Sequence, residues 1–161
     1  MKIRRYLENE INLQRHHTVA RPTIDEYFLA MAHLASWRST CARAARGCVL
    51  VSADNHVMAT GYNGTPRGTK HCYAAVPCLG AAAPSGQQLD DCLATHAEVN
   101  ALLQCGNVEA VQTCYSTASP CIQCAKLLMN SGCQRLVFSI KYPDWDERVS
   151  KIWNRYYALI P

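Results

Sequence analysis

Apolar residues recur at three- and four-residue steps through "RPTIDEYFLAMAHLASWRSTCARAA", at Ile24, Tyr27, Phe28, Met31, Leu34 and Ala35, the spacing of one helical face. Thr23 and Glu26, just after Pro22, form a capping box that starts this helix. "GCVLVSADNHVMATGY" changes period: a continuous apolar run suits a strand covered on both faces, and Asp54 and Asn55 turn the chain into a second strand. From Asn63 to about Ala94 the residues are Gly, Pro, Cys and small side chains without periodicity. A loop of that length needs an organiser. "THAEVNALLQCG" then reads as a helix ended by Gly106, "AVQTCYSTA" as a strand, and "PCIQCAKLLMNSG" as a helix opening at Pro120 and closing at Gly132. "RLVFSI" is a further buried strand. In "PDWDERVSKIWNRYYALI", Val149, Ile152, Trp153 and Tyr156 share a helical face, with Asp144 or Asp146 as the cap. Helices alternate with strands through the second half, which predicts an α/β sandwich.

The 161 residues fit one domain, 1–161, with residues 1–20 as an N-terminal arm and 63–94 as the long loop. Charged residues are 17% and hydrophobic ones 49% of the chain, a globular balance. A net charge of +4 suits a phosphorylated small molecule or a nucleic acid and does not choose between them. No apolar run reaches the roughly 18–20 residues of a membrane span. "MKIRRYLENEINLQRHH" lacks the apolar stretch of a secretory signal, and Glu8 and Glu10 are foreign to a transit peptide. The expectation is a cytoplasmic protein with no membrane partner, whose ten cysteines are thiols or metal ligands rather than disulfides.

Cys121 and Cys124 fall on one face of a helical first turn, and His96 opens another helix. Thiolates there meet the positive end of the helix dipole, which favours ionisation and metal binding. One imidazole and two thiolates make three ligands of a tetrahedral zinc and leave the fourth position to water, as in a catalytic site. Zinc lowers the pKa of such a water to about 7. Glu98, two residues from His96, is the proton carrier that takes the water's proton, passes it to a ring nitrogen and later protonates a leaving amine. H-x-E with P-C-x-x-C is the zinc deaminase signature. Separately, "CxxC" also occurs in structural zinc half-sites and redox pairs, and "HAE" is common by chance.

"THAEVNALLQ", "SPCIQCAKLLMNSG" and "STCARAARGCVLV…GYNGTPRGTKHC" together resemble the deoxycytidylate (dCMP) deaminases of the zinc-dependent cytidine and deoxycytidylate deaminase family, over about Ser39 to Tyr142. The resemblance implies a three-layer α/β/α cytidine-deaminase-like fold with a mixed central sheet. It implies zinc on His96, Cys121 and Cys124, Glu98 as proton shuttle, and conversion of dCMP to dUMP and ammonia for thymidylate synthesis. Asn63 matches the asparagine that holds the sugar, although "YNG" is also a good turn with Gly64 free to take positive φ. Tyr142 falls where the family places an aromatic near the nucleotide, and Lys141 is suited to its phosphate; either is equally at home on a surface. Members are commonly hexamers, activated by dCTP and inhibited by dTTP, with magnesium accompanying the triphosphate near the GYNG loop. Gly64, Arg67 and Gly68 suit that effector, and Arg43 is a further phosphate candidate; a basic turn and a solvated helix-end arginine are the plainer alternatives.

Removing the catalytic pair and the cysteines of predicted elements leaves Cys41, Cys72, Cys78 and Cys92, with His71 beside Cys72. These are ligands for a second, structural zinc that would organise the loop. Similar deaminases use a cysteine at the "STC" position in such a site, which favours Cys41. Cys48, Cys105, Cys114 and Cys133 read as small buried residues. Ala118 stands where a larger apolar residue often precedes "SPC", so a 5-substituted dCMP is an alternative substrate, as is dCTP. A guanine-type or nucleoside deaminase would share the mechanism. A nucleic-acid editor would need a stronger basic and aromatic surface, so no nucleic-acid partner is expected. A non-catalytic, zinc-stabilised nucleotide-sensing protein is the alternative from another class, and Glu98 has no use in it.

Overall fold

The computed structural model describes residues 21–72, 78, 80–81 and 92–158; the N-terminal arm and most of the long loop lie outside the described residues. In chain order the elements are α1 (Ile24–Ser36), β1 (Gly47–Ser52), β2 (Val57–Tyr62), α2 (Ala97–Gln104), a 3-10 turn (Val108–Ala110), β3 (Val111–Ala118), α3 (Ile122–Met129), β4 (Arg135–Ile140), a π-helical turn (Trp145–Val149) and α4 (Ser150–Tyr157). The sheet order is β2-β1-β3-β4. β1 runs antiparallel to β2 and β3, whereas β3 and β4 are parallel, joined by α3. The sheet is mixed, as expected.

Alternation along β1 separates two cores. Val49 and Val51 pack with Phe28 and Ala32 of α1 and with Tyr115. Cys48 and Leu50 face the other way, toward Ala97, Ala101, Leu128, Val149 and Trp153 from α2, α3, the π-helical turn and α4. One helix on one face and the rest on the other make the three layers.

Close helix packing on this sheet rests on glycine. A Cβ on Gly61 of β2 would lie 2.2 Å from the Ala97 carbonyl oxygen and 2.4 Å from the Ala101 nitrogen, so α2 sits with its backbone against the strand. Gly47 of β1 admits α1 in the same way, its notional Cβ 2.0 Å from the Ala32 carbonyl oxygen. That approach selects the small residues of α1: the buried row is Phe28, Ala32 and Ser36, while Ile24, Tyr27 and Leu34 of the expected apolar face are exposed.

Other boundaries shift for local reasons. α2 stops at Gln104, and its cap Cys105 has extended backbone, so Gly106 does not end it through a left-handed residue. α3 stops at Met129 and is capped by Asn130, ahead of Gly132. β4 is half exposed rather than buried, because it forms the sheet edge. Ile152 is exposed, and the buried row of the last helix is Val149 and Trp153. Asp144 sits at the start of the π-helical turn without a side-chain capping bond, and Asp146 pairs with Lys141 instead. The Thr23–Glu26 capping box forms as the sequence indicated.

Asp25 ties α1 to the sheet. Arg135 donates to its two oxygens at 2.7 and 2.5 Å, and the Tyr115 hydroxyl donates at 2.9 Å. The Arg135 guanidinium, opposed by partial burial and helped by Tyr115, holds the Asp25 carboxyl below its ordinary 3.8. A depressed folded pKa contributes stability above the unfolded value that disappears as pH falls through the folded one. The pair is substantially solvent-exposed, so its contribution is no more than about 1 kcal/mol. Asp25→Asn should lower the thermal midpoint by roughly 2–4 °C or less near pH 7. The difference should close as the pH is taken below the Asp25 carboxyl range; a gap that persists there in calorimetry would show that the charge is not its source.

Candidate active site at two helix starts

α2 and α3 begin in an unusual way. Their N-cap residues are His96 and Cys121, both in extended backbone and both without a side-chain capping bond. Helices prefer Ser, Thr, Asp or Asn there, at a cost of about 1 kcal/mol when these are missing. Both sites forgo that gain, and local rules broken in two converging places mark function. Pro120 precedes the cap rather than opening the helix: proline holds Ser119 extended, and the chain turns helical only after Cys121. Cys121 is thereby the cap and Cys124 the third helical residue of α3.

His96 Nδ1 lies 3.4 Å from the Sγ of both Cys121 and Cys124. All three donor atoms fall within 4.8 Å of one another, a grouping that no other His, Cys, Asp or Glu cluster among the described residues matches. In a tetrahedral zinc site with bonds of about 2.0–2.3 Å, nitrogen and sulfur ligands stand roughly 3.5 Å apart. The donor set fits zinc in kind and in spacing.

The protonation pattern fits as well. The Cys124 thiol, followed by His96, brings Cys121 down to about 4 despite partial burial. Cys124 is pushed up by the Cys121 thiolate and by burial. The hydrogen bond with Cys121 raises His96. Protons are thus crowded among three ligand atoms, where a divalent cation would replace them.

Glu98, the second residue of α2, is buried at 6% exposure. Burial pushes its carboxyl up, and the single Ser116 hydroxyl hydrogen is shared between Oε1 and the Gly47 carbonyl oxygen, each at 3.4 Å. A structural zinc module has no need of a buried carboxylate beside its ligands; a proton carrier does.

The surrounding rim follows from the strand register. Gly47 pairs with Tyr62, Cys48 with Ser116, and Ala118 with Ile140. Consequently the start of β1 and the ends of β2, β3 and β4 meet at one end of the sheet, bringing together Arg46, Asn63, Ser119 and Tyr142. Asn63 is buried: Oδ1 accepts from Ser39 Oγ at 2.7 Å and from the Arg46 N–H at 2.8 Å, while Nδ2 donates to the Ala44 carbonyl at 2.7 Å. An amide nitrogen has two hydrogens, so Asn63 pins the 39–46 segment and retains one donor to offer. The Tyr142 N–H donates to Ser119 Oγ at 2.9 Å, and its hydroxyl accepts from Arg46 Nε at 3.1 Å. Lys141 is engaged by Asp146 at 2.6 Å. The sequence does not single out Arg46, Ser116 or Ser119; a charged residue directly before the apolar "GCVLV" run was the one available signal.

The effector candidates divide. Gly64 is buried and bridges Thr95 through both backbone groups, so its N–H is already bonded. Its φ is not positive; glycine is needed there because a Cβ would lie 2.3 Å from Thr40 Oγ1. Gly68 is the glycine with positive φ, at 83°, and it is exposed with Arg67. Arg43 is half-buried. Of the second-metal candidates, Cys41 is buried and Cys72, Cys78 and Cys92 are half-buried, with His71 exposed. Burial pushes the Cys92 thiol up, with smaller contributions from Cys41 and Cys78, but among the described residues these cysteines do not form a metal-spaced group. Ala118 is buried at the end of β3.

Comparison with known proteins agrees with the geometry. The family described as "Cytidine and deoxycytidylate deaminase zinc-binding region" matches residues 22–140. A deoxycytidylate deaminase of Schizosaccharomyces pombe is 42% identical over 125 residues, spanning 76% of this chain and 38% of its own. One from Mycobacterium phage D29 is 40% identical over 125 residues, spanning 74% of this chain and 97% of its own. The chain therefore matches well under half of the yeast relative and nearly all of the phage one. A crystal structure of dCMP deaminase from cyanophage S-TIM5, in complex with dCMP and dUMP, is 25% identical with a TM-score of 0.64, and the match covers 86% of this chain and 95% of that one.

Proposed function

The chain belongs to the cytidine and deoxycytidylate deaminase family, and from that premise we propose that it hydrolyses dCMP to dUMP with release of ammonia. The observation that carries this reading is the buried Glu98 carboxylate in the first turn of the helix that His96 caps, in hydrogen-bonding contact with Cys124 of the ligand group. Relatives named as deoxycytidylate deaminases support the substrate, as does the cyanophage enzyme's complex with dCMP and dUMP.

When held by His96, Cys121 and Cys124, zinc supplies a Lewis acid that makes a water molecule acidic near neutral pH. Glu98 would take one proton from the attacking water and deliver it to ring N3 as the water oxygen bonds to C4 of the cytosine. Glu98 then takes the remaining proton of the new hydroxyl and gives it to the amino group. The C4–N4 bond breaks and ammonia leaves, so water and dCMP give dUMP and ammonia in balance. Ser116 orients the carboxylate from β3. Asn63 and Tyr142 face the nucleotide at the rim.

dCTP with magnesium as activator and dTTP as inhibitor would act through the exposed Arg67–Gly68 turn, with Gly64 as its clasp to Thr95 and Arg43 nearby in sequence to the rim. Exposed Ile24, Tyr27 and Leu34 on α1 suit a homo-oligomer, a hexamer on family precedent. Cys41, Cys72, Cys78 and Cys92, with His71, remain candidates by ligand type for a second, structural zinc. No helix among the described residues is long and apolar enough to cross a membrane, and supply of dUMP for thymidylate synthesis in the cytoplasm is the role proposed.

Ammonia release by the zinc-loaded protein tests the activity across dCMP, 5-methyl-dCMP, dCTP, deoxycytidine, guanine and a single-stranded oligonucleotide, with and without dCTP or dTTP. Turnover centred on dCMP and altered by the triphosphates is expected. One zinc ion per chain is expected in metal analysis from the His96, Cys121 and Cys124 group, and a second would support the loop site. Turnover confined to guanine or the oligonucleotide would overturn the substrate, and no turnover at all would return the chain to a sensing role.

A further inference from the structure

We propose that Arg46 is the specificity-determining residue for the nucleotide's 5′-phosphate, with its guanidinium mounted on Tyr142 at the rim of the site. The inference rests on the dCMP reading and names the group that would distinguish nucleotide from nucleoside.

Three observations place it. Arg46 immediately precedes β1, and its backbone N–H donates to Asn63 Oδ1 at 2.8 Å, so its position is fixed to the end of β2. Its Nε donates to the Tyr142 hydroxyl at 3.1 Å, and its Cζ lies 5.7 Å from the Tyr142 ring centre, within range of a cation–π contact. Tyr142 is itself fixed by its N–H to Ser119 Oγ at 2.9 Å, two residues before Cys121. The cation is therefore tied through short bonds to the segment that carries the metal-ligand cysteines.

The other cation at this end of the sheet is already paired. Lys141 points its ammonium to Asp146 at 2.6 Å. Arg46 spends Nε on Tyr142 and one Nη1 donor on the Ala45 carbonyl at 3.1 Å. A guanidinium has five donors in a planar fork that suits phosphate oxygens. The two internal bonds hold the side chain in place and leave most of the fork to a ligand. Such preorganisation lowers the entropy lost on binding.

Calorimetric binding of dUMP and deoxyuridine to the zinc-loaded full chain tests this, because it does not depend on turnover. The unsubstituted protein should bind dUMP far more tightly than deoxyuridine. Arg46→Met should weaken dUMP by about tenfold to a hundredfold, the usual worth of a charged hydrogen bond, while deoxyuridine binding changes far less and zinc content stays the same. Arg46→Lys, which retains the charge, should recover part of the loss. In kinetics the loss should fall on the KM for dCMP more than on kcat. Equal weakening of both ligands would assign Arg46 to structure alone and overturn the proposal. So would unchanged dUMP binding in Arg46→Met, or no preference for dUMP in the unsubstituted protein. Failure of dCMP turnover with a retained, Arg46-dependent preference for dUMP would instead defeat the activity and leave this site standing.

Discussion

Glu98→Gln should retain zinc and fold while turnover falls by about two to four orders of magnitude, the range associated with a positioned acid–base group. The substitution keeps the shape and leaves His96, Cys121 and Cys124 intact, so the metal content measured by atomic absorption should match the unsubstituted protein. It also removes a buried carboxylate, a group that is costly to ionise where it stands. Its thermal midpoint should therefore be equal or higher. An active site that sacrifices stability to place a carboxylate predicts this pairing of lost activity with preserved or improved stability. A variant that still turns over within tenfold of the unsubstituted enzyme would remove Glu98 from the proton path, whatever its stability.

Gly61→Ala should damage both stability and activity, through geometry rather than chemistry. The added Cβ would meet the Ala97 carbonyl and the Ala101 backbone nitrogen at 2.2 and 2.4 Å. Backbone atoms cannot rotate aside as a side-chain end can, so α2 must move off the strand. Overpacking of this kind costs about 1–3 kcal/mol, roughly 2–4 °C of thermal midpoint for each kcal/mol in a chain of this size. The same displacement carries His96 and Glu98, which lie in the first turn of α2, away from the α3 cysteines. A misplacement of about 1 Å is worth roughly a hundredfold in rate. Thermal unfolding, zinc content and kcat/KM on one preparation check the prediction. Unchanged values for all three would mean that α2 is not held to β2 by this approach.

The sequence made the chemistry legible because its ligands are set by local geometry. A cysteine at a helix cap and another three residues later share a helical turn wherever that helix is placed, and His96 with Glu98 does the same on α2. The capping box at Thr23 and the hairpin between β1 and β2 are local in the same sense. Periodicity failed where neighbours outvoted it. The buried row of α1 is set by Gly47 beneath it, which rewards Ala32 and Ser36 over Ile24 and Leu34. β4 reads as a buried strand because its residues are apolar, but sheet order leaves it at an edge. Gly64 reads as a flexible turn residue, and its actual constraint is the Thr40 side chain, twenty-four positions away.

By itself, then, the sequence singled out the candidate metal ligands and proton carrier, since His96 with Glu98, and Cys121 with Cys124, are each a few residues apart and one helical turn brings each pair together. Tertiary structure decided everything that requires distant segments to meet. The His96 nitrogen comes within 3.4 Å of two sulfurs on another helix only because β1, β2 and β3 align α2 beside α3. Arg46, Asn63, Ser119 and Tyr142 converge only because antiparallel and parallel pairings place one strand start and three strand ends at a common end of the sheet. Strand order and register are non-local quantities, fixed by the burial of whole faces, and no short motif records them.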